Sequence, residues 1–211
     1  MTTRPRAVTD EAYGLTMSVI LTGSPTLVDR APGVPGVTFA ADAPMIWPHA
    51  ERWTESALMN VVVCVKQIPD PADPGALDPT TKTLKRDGKL ILDESDSYGV
   101  EMALQLVTTA GGGEVTLVSM APNGEVSGLR TALAMGAAKA ILVSDDALAG
   151  SDALSTAKVL AKAIERVEGA DLVLTATESS DGYTGTVPEQ IAGLLDLPSV
   201  TFAKSIAIDG S

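Results

Sequence analysis

A single histidine, His49, and a single cysteine, Cys64, are all the imidazole and thiol chemistry that this chain of 211 residues offers. That shortage removes the Ser/His/Asp and Cys/His hydrolase layouts unless His49 serves, and an H-E-x-x-H zinc motif cannot be written. One cysteine excludes an internal disulfide framework and any multi-thiolate zinc or iron–sulfur site, and it suits a reducing, cytoplasmic compartment. Cys64 lies inside an apolar run with neither a histidine nor a helix start beside it in sequence, which favours a packed, inert thiol over a nucleophile. Carboxylates are plentiful. Asp93-Glu94-Ser95-Asp96 stands ahead of a helical pattern, where the dipole favours acidic groups; capping is the simpler account and metal binding the weaker one. Fifteen basic residues against 27 acidic ones give a net charge of −12, which would repel a phosphate backbone and argues against nucleic acid as a partner.

The loop richest in ligand-binding residue types is Thr175 to Gln190. It holds Ser179, Ser180, Asp181, Gly182, Tyr183, Thr184, Gly185, Thr186 and Val187 between an apolar strand and a helix that begins near Thr186. Small, hydroxylated and glycine residues at a helix N-terminus let a phosphate approach backbone amides closely. An ordinary loop with Thr186 as N-cap explains the same pattern equally well. Neither a Walker A sequence nor a G-x-G-x-x-G fingerprint is present. Met120, in Met120-Ala121-Pro122-Asn123-Gly124, closes another strand and could face a ligand or the core. Gly111-Gly112-Gly113 leads into a strand and reads as a helix stop.

The elements that must position these residues follow a strand–helix rhythm. Val61–Val65, Glu114–Ser119, Ala140–Val143 and Asp171–Thr175 are short apolar runs of the kind a parallel strand buried on both faces requires. Apolar residues at spacings of three and four predict helices over Ser97–Val107, Val126–Met135 and Leu154–Val167. The alternation predicts an α/β fold: a doubly wound, mostly parallel sheet with helices on both faces. Prolines at 69, 71 and 74 interrupt it after the first strand, and Thr83–Leu92, centred on Asp87-Gly88, carries a hairpin signal. Six of the 13 prolines and both tryptophans fall in residues 1–58, where no period persists. Those residues are expected to form a poorly ordered extension outside the core, with the folded domain at 59–211. Ser205–Ile208 is expected to be a strand whose partner is missing. No apolar run reaches the 18 or so residues of a membrane helix, so direct membrane insertion is not expected.

Several stretches together resemble the β subunit of electron transfer flavoprotein, in its actinobacterial form. They are Val63-Cys64-Val65-Lys66-Gln67-Ile68-Pro69-Asp70, Gly99-Val100-Glu101-Met102-Ala103-Leu104, Leu129-Arg130-Thr131-Ala132-Leu133-Ala134-Met135-Gly136-Ala137, Asp181 to Ala192, and Leu195 to Phe202. The matches occur in order and run from Met59 to about Ser211, and residues 1–58 match nothing in the family. The resemblance implies an adenine nucleotide alpha hydrolase-like fold that continues past Ser211, so the domain is expected to be C-terminally incomplete. It implies an electron carrier without catalytic residues of its own, paired with an α subunit that holds most of the FAD, with a structural AMP in the β chain. Electrons would arrive from acyl-CoA and other dehydrogenases and leave to a membrane quinone oxidoreductase. Carried over by position, the nucleotide pocket comprises Cys64, Asp93, Asp96, Met120, Ser179 to Val187 and Gln190. The family often has Asn-Pro where this chain has Asp93-Glu94. Two alternatives remain open at this point: an electron-bifurcating, NADH-linked flavoprotein subunit with a second FAD in place of AMP, and a universal-stress-type adenine nucleotide-binding module.

Overall fold

The computed structural model describes residues 6–9, 16–22, 36–39, 58–72 and 77–209. Three strands precede the predicted domain: β1 (Arg6–Thr9), β2 (Met17–Leu21) and β3 (Gly36–Phe39). Then come β4 (Met59–Cys64), β5 (Gln67–Pro69), β6 (Leu90–Leu92), α1 (Glu94–Thr109), β7 (Gly113–Met120), α2 (Ser127–Ala134), β8 (Lys139–Val143), α3 (Ala153–Ile164), β9 (Leu172–Ala176), α4 (Val187–Leu195), β10 (Ser199–Ala203) and β11 (Ser205–Asp209).

The main sheet has six strands in the order β10-β2-β9-β4-β7-β8. β4 runs parallel to β7 on one side and to β9 on the other, and β8 extends the parallel set beyond β7. The apolar runs are continuous because each strand is covered twice. Val61, Val63 and Val65 pack with Leu117, Leu174 and α1 residues Val100, Ala103 and Leu106. Val62, Cys64, Val118 and Val173 pack on the other face against Ala157, Leu160 and Ile164 of α3 and Ile191 of α4. Period-2 side-chain direction thus divides one apolar sequence between two cores. The tight entry into β7 depends on glycine, since a Cβ on Gly113 would stand 1.9 Å from the Met59 carbonyl oxygen.

Three expectations need correction. Residues 1–58 are not all outside the core, because β2 lies between β9 and β10 and pairs antiparallel with both. Met17, Ser18, Val19, Ile20 and Leu21 are all buried. The strand is so strongly apolar because it, too, is covered on both faces: Met17, Val19 and Leu21 join the α1 core and Ile20 the α3/α4 core. Residues 10–15, 23–35 and 40–57 lie outside the described residues. The insertion after β4 is antiparallel, but Asp87-Gly88 is not its turn. β6 pairs back to β5, through Gln67–Leu92, Ile68–Ile91 and Pro69–Leu90, while Leu84 bridges Leu77 across a turn at Asp78–Lys82. Finally, β11 has partners on both sides, β1 and β3, supplied by the N-terminal segment.

Candidate functional site

The strand order reverses direction at β4: the chain steps outward through β7 and β8 and then returns to place β9 on the other flank. Such a switch opens a crevice at the carboxyl ends of the strands. A cavity of about 660 Å³ lies there, reached by Cys64 and Val65 at the end of β4, Met120 at the end of β7 and Thr175 and Ala176 at the end of β9. Its size falls within the range of cofactor sites. Residues 148–153 at the start of α3, Val187, Pro188 and Ile191 of α4, and Thr83, Leu84 and Arg86 of the insertion complete the lining.

Of the residues named from the sequence, Cys64, Asp96, Met120, Ser179, Gly182, Thr184, Gly185 and Val187 line this cavity. Asp93, Ser180, Asp181, Tyr183, Thr186 and Gln190 stand outside the lining. Asp93 is buried and ties two elements together. Its Oδ1 accepts the Ser95 amide at 3.2 Å, capping α1, while Oδ2 accepts the Ser180 amide at 2.8 Å and the Ser180 hydroxyl at 3.0 Å. The α1 cap is therefore also the anchor of the loop after β9. Asp96, one turn on, accepts the Lys66 amide at 2.6 Å. Burial holds the Asp96 carboxyl well above the usual carboxylate range, and the hydrogen bond from Lys66 only partly offsets it. Burial also pushes the Cys64 thiol up to about 12, with the Asp96 carboxyl adding to the rise. Cys64 is thus a protonated thiol at the cavity wall, without nucleophilic character.

The loop from Glu178 to Thr186 is held open by its own geometry. Tyr183 and Gly185 take left-handed backbone angles, φ +48° and +59°. The Tyr183 ring is exposed. The Gly182 and Tyr183 amides both turn back to the Ser179 carbonyl, at 3.3 and 2.9 Å. The amides of Thr184, Gly185 and Thr186 have no acceptor among the described residues. Thr186 makes no side-chain cap on α4; its hydroxyl accepts from Gln190 Nε2 at 3.4 Å. Unsatisfied N–H groups at a helix N-terminus are suited to an anion.

Sequence reasoning left Lys66, Arg86 and Gln67 out of the site and placed Thr175 only at the start of the ligand-binding loop. Lys66 directly follows β4, and its ammonium donates to Asp181 Oδ1 at 2.6 Å and to the Ser179 hydroxyl at 3.0 Å. Arg86 holds the other Asp181 oxygen and donates to the Gln67 carbonyl at 3.3 Å. Half-burial raises the Asp181 pKa, but hydrogen bonds and charge from Lys66 and Arg86 outweigh it and leave the carboxyl below its ordinary value. Gln67 is buried and spans to α2, accepting the Gly128 amide at 2.8 Å and donating to the Glu125 carbonyl at 2.5 Å. Thr175 faces Cys64 across the β4–β9 ladder, and its buried hydroxyl has no partner. Position at a strand end was an available signal for Lys66, Gln67 and Thr175. Nothing local pointed to Arg86.

The electron transfer flavoprotein domain profile matches residues 81–211. The chain belongs to the electron transfer flavoprotein family. It is 42% identical over 153 residues to the electron transfer flavoprotein subunit beta of Thermoanaerobacterium thermosaccharolyticum, covering 72% of this chain and 58% of that one. The β subunit of Mycobacterium tuberculosis is 39% identical over 158 residues, covering 72% and 59%. A Caffeyl-CoA reductase-Etf complex subunit, CarD, of Acetobacterium woodii is 40% identical over 152 residues, covering 72% and 58%. The chain therefore spans somewhat less than three-fifths of the length of these relatives. Among the described residues of this family member, no three His, Cys, Asp or Glu side chains are grouped to hold a metal ion, and no helix is long and apolar enough to cross a membrane.

Proposed function

We propose that this chain acts as the β subunit of a heterodimeric electron transfer flavoprotein and keeps an adenine nucleotide, AMP, in the cavity at the ends of β4, β7 and β9. The observation that carries the reading is the pairing of free amides at Thr184 and Gly185 with a buried, unpartnered Thr175 hydroxyl on one cavity. An orphaned buried polar group costs about 1–3 kcal/mol, so a ligand that satisfies the Thr175 hydroxyl is the simplest explanation of its survival. The donor set fits a nucleotide: amides and hydroxyls for the phosphate, and apolar walls from Leu160, Val187 and Ile191 for a base. FAD, shared with an α subunit, supplies the redox chemistry when bound. This chain's residues would bind and exclude water, with the Cys64 thiol and the Asp96 carboxyl at the wall and no catalytic residue contributed. Acyl-CoA and other dehydrogenases are the donors in this reading, a membrane quinone oxidoreductase the acceptor, and the cytoplasm the location.

Similarity to a subunit of a Caffeyl-CoA reductase-Etf complex supports a second reading, in which a second FAD takes the place of AMP and the pair is NADH-linked and bifurcating. Family membership leaves the universal-stress-type module without support. Co-expression with the α subunit, release of bound nucleotides by denaturation and their chromatographic identification test the choice. One FAD and one AMP per pair is expected. Two FAD per pair would move the bifurcating reading ahead, and no nucleotide beyond the α-subunit flavin would overturn both.

A further inference from the structure

The turn that leaves β7, Met120-Ala121-Pro122-Asn123-Gly124, carries a chemistry of its own. The chain has two asparagines, Asn60 and Asn123, and only Asn123 is followed by glycine. Glycine has no Cβ to shield its backbone nitrogen from the side chain before it. Asn123 and Gly124 are both exposed, and Gly124 takes a left-handed backbone angle, φ +66°. The Gly124 amide has no acceptor among the described residues, so no hydrogen bond has to break before its nitrogen can react. Asn123 Oδ1 accepts the Glu125 amide at 3.2 Å. That bond closes a ring containing the Gly124 nitrogen and keeps the carboxamide on its side. It also puts a donor on the oxygen where negative charge grows when the carbonyl is attacked. Asn60 differs in each respect. It lies in β4, its side chain donates to the Gly169 carbonyl at 3.3 Å, and the next residue is Val61, β-branched and 1% exposed.

We propose that Asn123-Gly124 is a self-modification site, at which the folded chain converts Asn123 to aspartate and isoaspartate on the wall of the cavity. The Gly124 nitrogen gives up its proton to solvent and bonds to Asn123 Cγ. The Cγ–Nδ2 bond then breaks, and the side-chain nitrogen takes up a proton and leaves as ammonia, so that a cyclic succinimide remains. One water opens the ring. Cleavage at Cγ restores the main chain with aspartate, and cleavage at the main-chain carbonyl gives isoaspartate, in which the chain runs through the side-chain carbons. The net change is one water consumed and one ammonia released, with nothing oxidised or reduced. Asn123 lines the cavity, so either product exchanges a neutral carboxamide for a carboxylate there. Isoaspartate also lengthens the main chain just before Glu125, whose carboxylate accepts the Val126 and Ser127 amides at 2.8 and 2.7 Å at the start of α2.

Incubation of the full chain at mildly alkaline pH and physiological temperature tests this, with peptide mass mapping to follow the gain in mass as an amide becomes an acid. The native chain is compared with the same chain in concentrated guanidinium chloride at the same pH. Isomerisation at Asp87-Gly88 or Asp181-Gly182 leaves the mass unchanged and does not interfere. Asn123 should gain the acid mass in the native chain while Asn60 does not. A hydrogen bond to the developing oxyanion, present in the native turn and lost on unfolding, corresponds to about 2- to 10-fold in rate, so native Asn123 should react that much faster than in the denatured chain. Gly124→Ala should slow the reaction by shielding the nitrogen. If that variant does not fold, the comparison of native with denatured wild type carries the test alone. An Asn123 peptide that keeps its mass in the native chain, or that reacts more slowly there than in the denatured chain, overturns the proposal. So does native Asn60 reacting as fast as Asn123, or a folded Gly124→Ala reacting at the wild-type rate.

Discussion

Replacing Ile20 with Ala in the full chain isolates the contribution of β2 to the fold. Ile20 is fully buried and packs in the core shared with Val62, Val173 and Ile191. Truncating a buried Ile to Ala removes its transfer energy and leaves a cavity, a combined loss of about 2–5 kcal/mol. The upper half of that range is expected, because the site cannot collapse: β2 is clamped by ladders to β9 on one side and β10 on the other. With a urea slope of about 2 kcal/mol/M, a loss of about 4 kcal/mol shifts the midpoint by about 2 M. Urea titration followed by far-ultraviolet circular dichroism reads this directly, with an unchanged slope showing that the effect is on stability. Deleting residues 1–58 should be worse. It opens an unpaired edge along both β9 and β10 and also removes β1 and β3 from β11. If the deleted chain unfolded at the wild-type midpoint, or Ile20→Ala shifted it by less than about 0.3 M, then β2 would not be part of the sheet.

Thr175→Val replaces the unpartnered hydroxyl with an isostere; it should stabilise the ligand-free chain by about 1 kcal/mol in the same urea assay while weakening AMP binding in calorimetry. Asp96 has a raised pKa in the folded state, so the native chain binds more protons than the unfolded one and stability should fall as pH rises from about 4 toward that raised value. Asp96→Asn should flatten this slope, and an identical pH–stability profile for the two proteins would contradict the assignment. Asp181 has the opposite sign. Its lowered pKa contributes stability that is present above about 4 and lost as pH falls, so Asp181→Asn should reduce the acid-side loss. With its thiol near 12 and buried, Cys64 should react with a disulfide reagent at pH 8 only as fast as the chain unfolds, and rapid labelling of the native protein would show it to be accessible.

How much of this protein is legible in its sequence depends on whether the physical cause of each feature is local. β4, β7, β9 and the helices α1, α2 and α3 are readable because burial on both faces writes continuous apolar runs, and burial of one stripe writes spacings of three and four. The α1 start is readable because Asp93 caps within its own segment. The Glu178–Thr186 loop is recognisable from residue types suited to close backbone approach, as is its family resemblance. Met17–Leu21 has the same strand composition as β4, but nothing near it in sequence says that its two neighbours lie more than 150 residues away. Proline-rich surroundings then point toward exclusion from the core. The pairing of β5 with β6 overrides the local Asp87-Gly88 turn signal for a similar reason: Leu90–Leu92 gain more by joining Gln67–Pro69 than by closing on Leu84. The charge arrangement at the cavity is decided entirely in three dimensions. Asp181 lies 115 residues from Lys66 and 95 from Arg86, and only the meeting of the end of β4, the insertion and the loop after β9 at the carboxyl ends of the strands brings them together. Local chemistry sets which segments become strands, helices and phosphate-compatible loops, while the order in which the strands are assembled decides which charges and orphaned donors share a cavity.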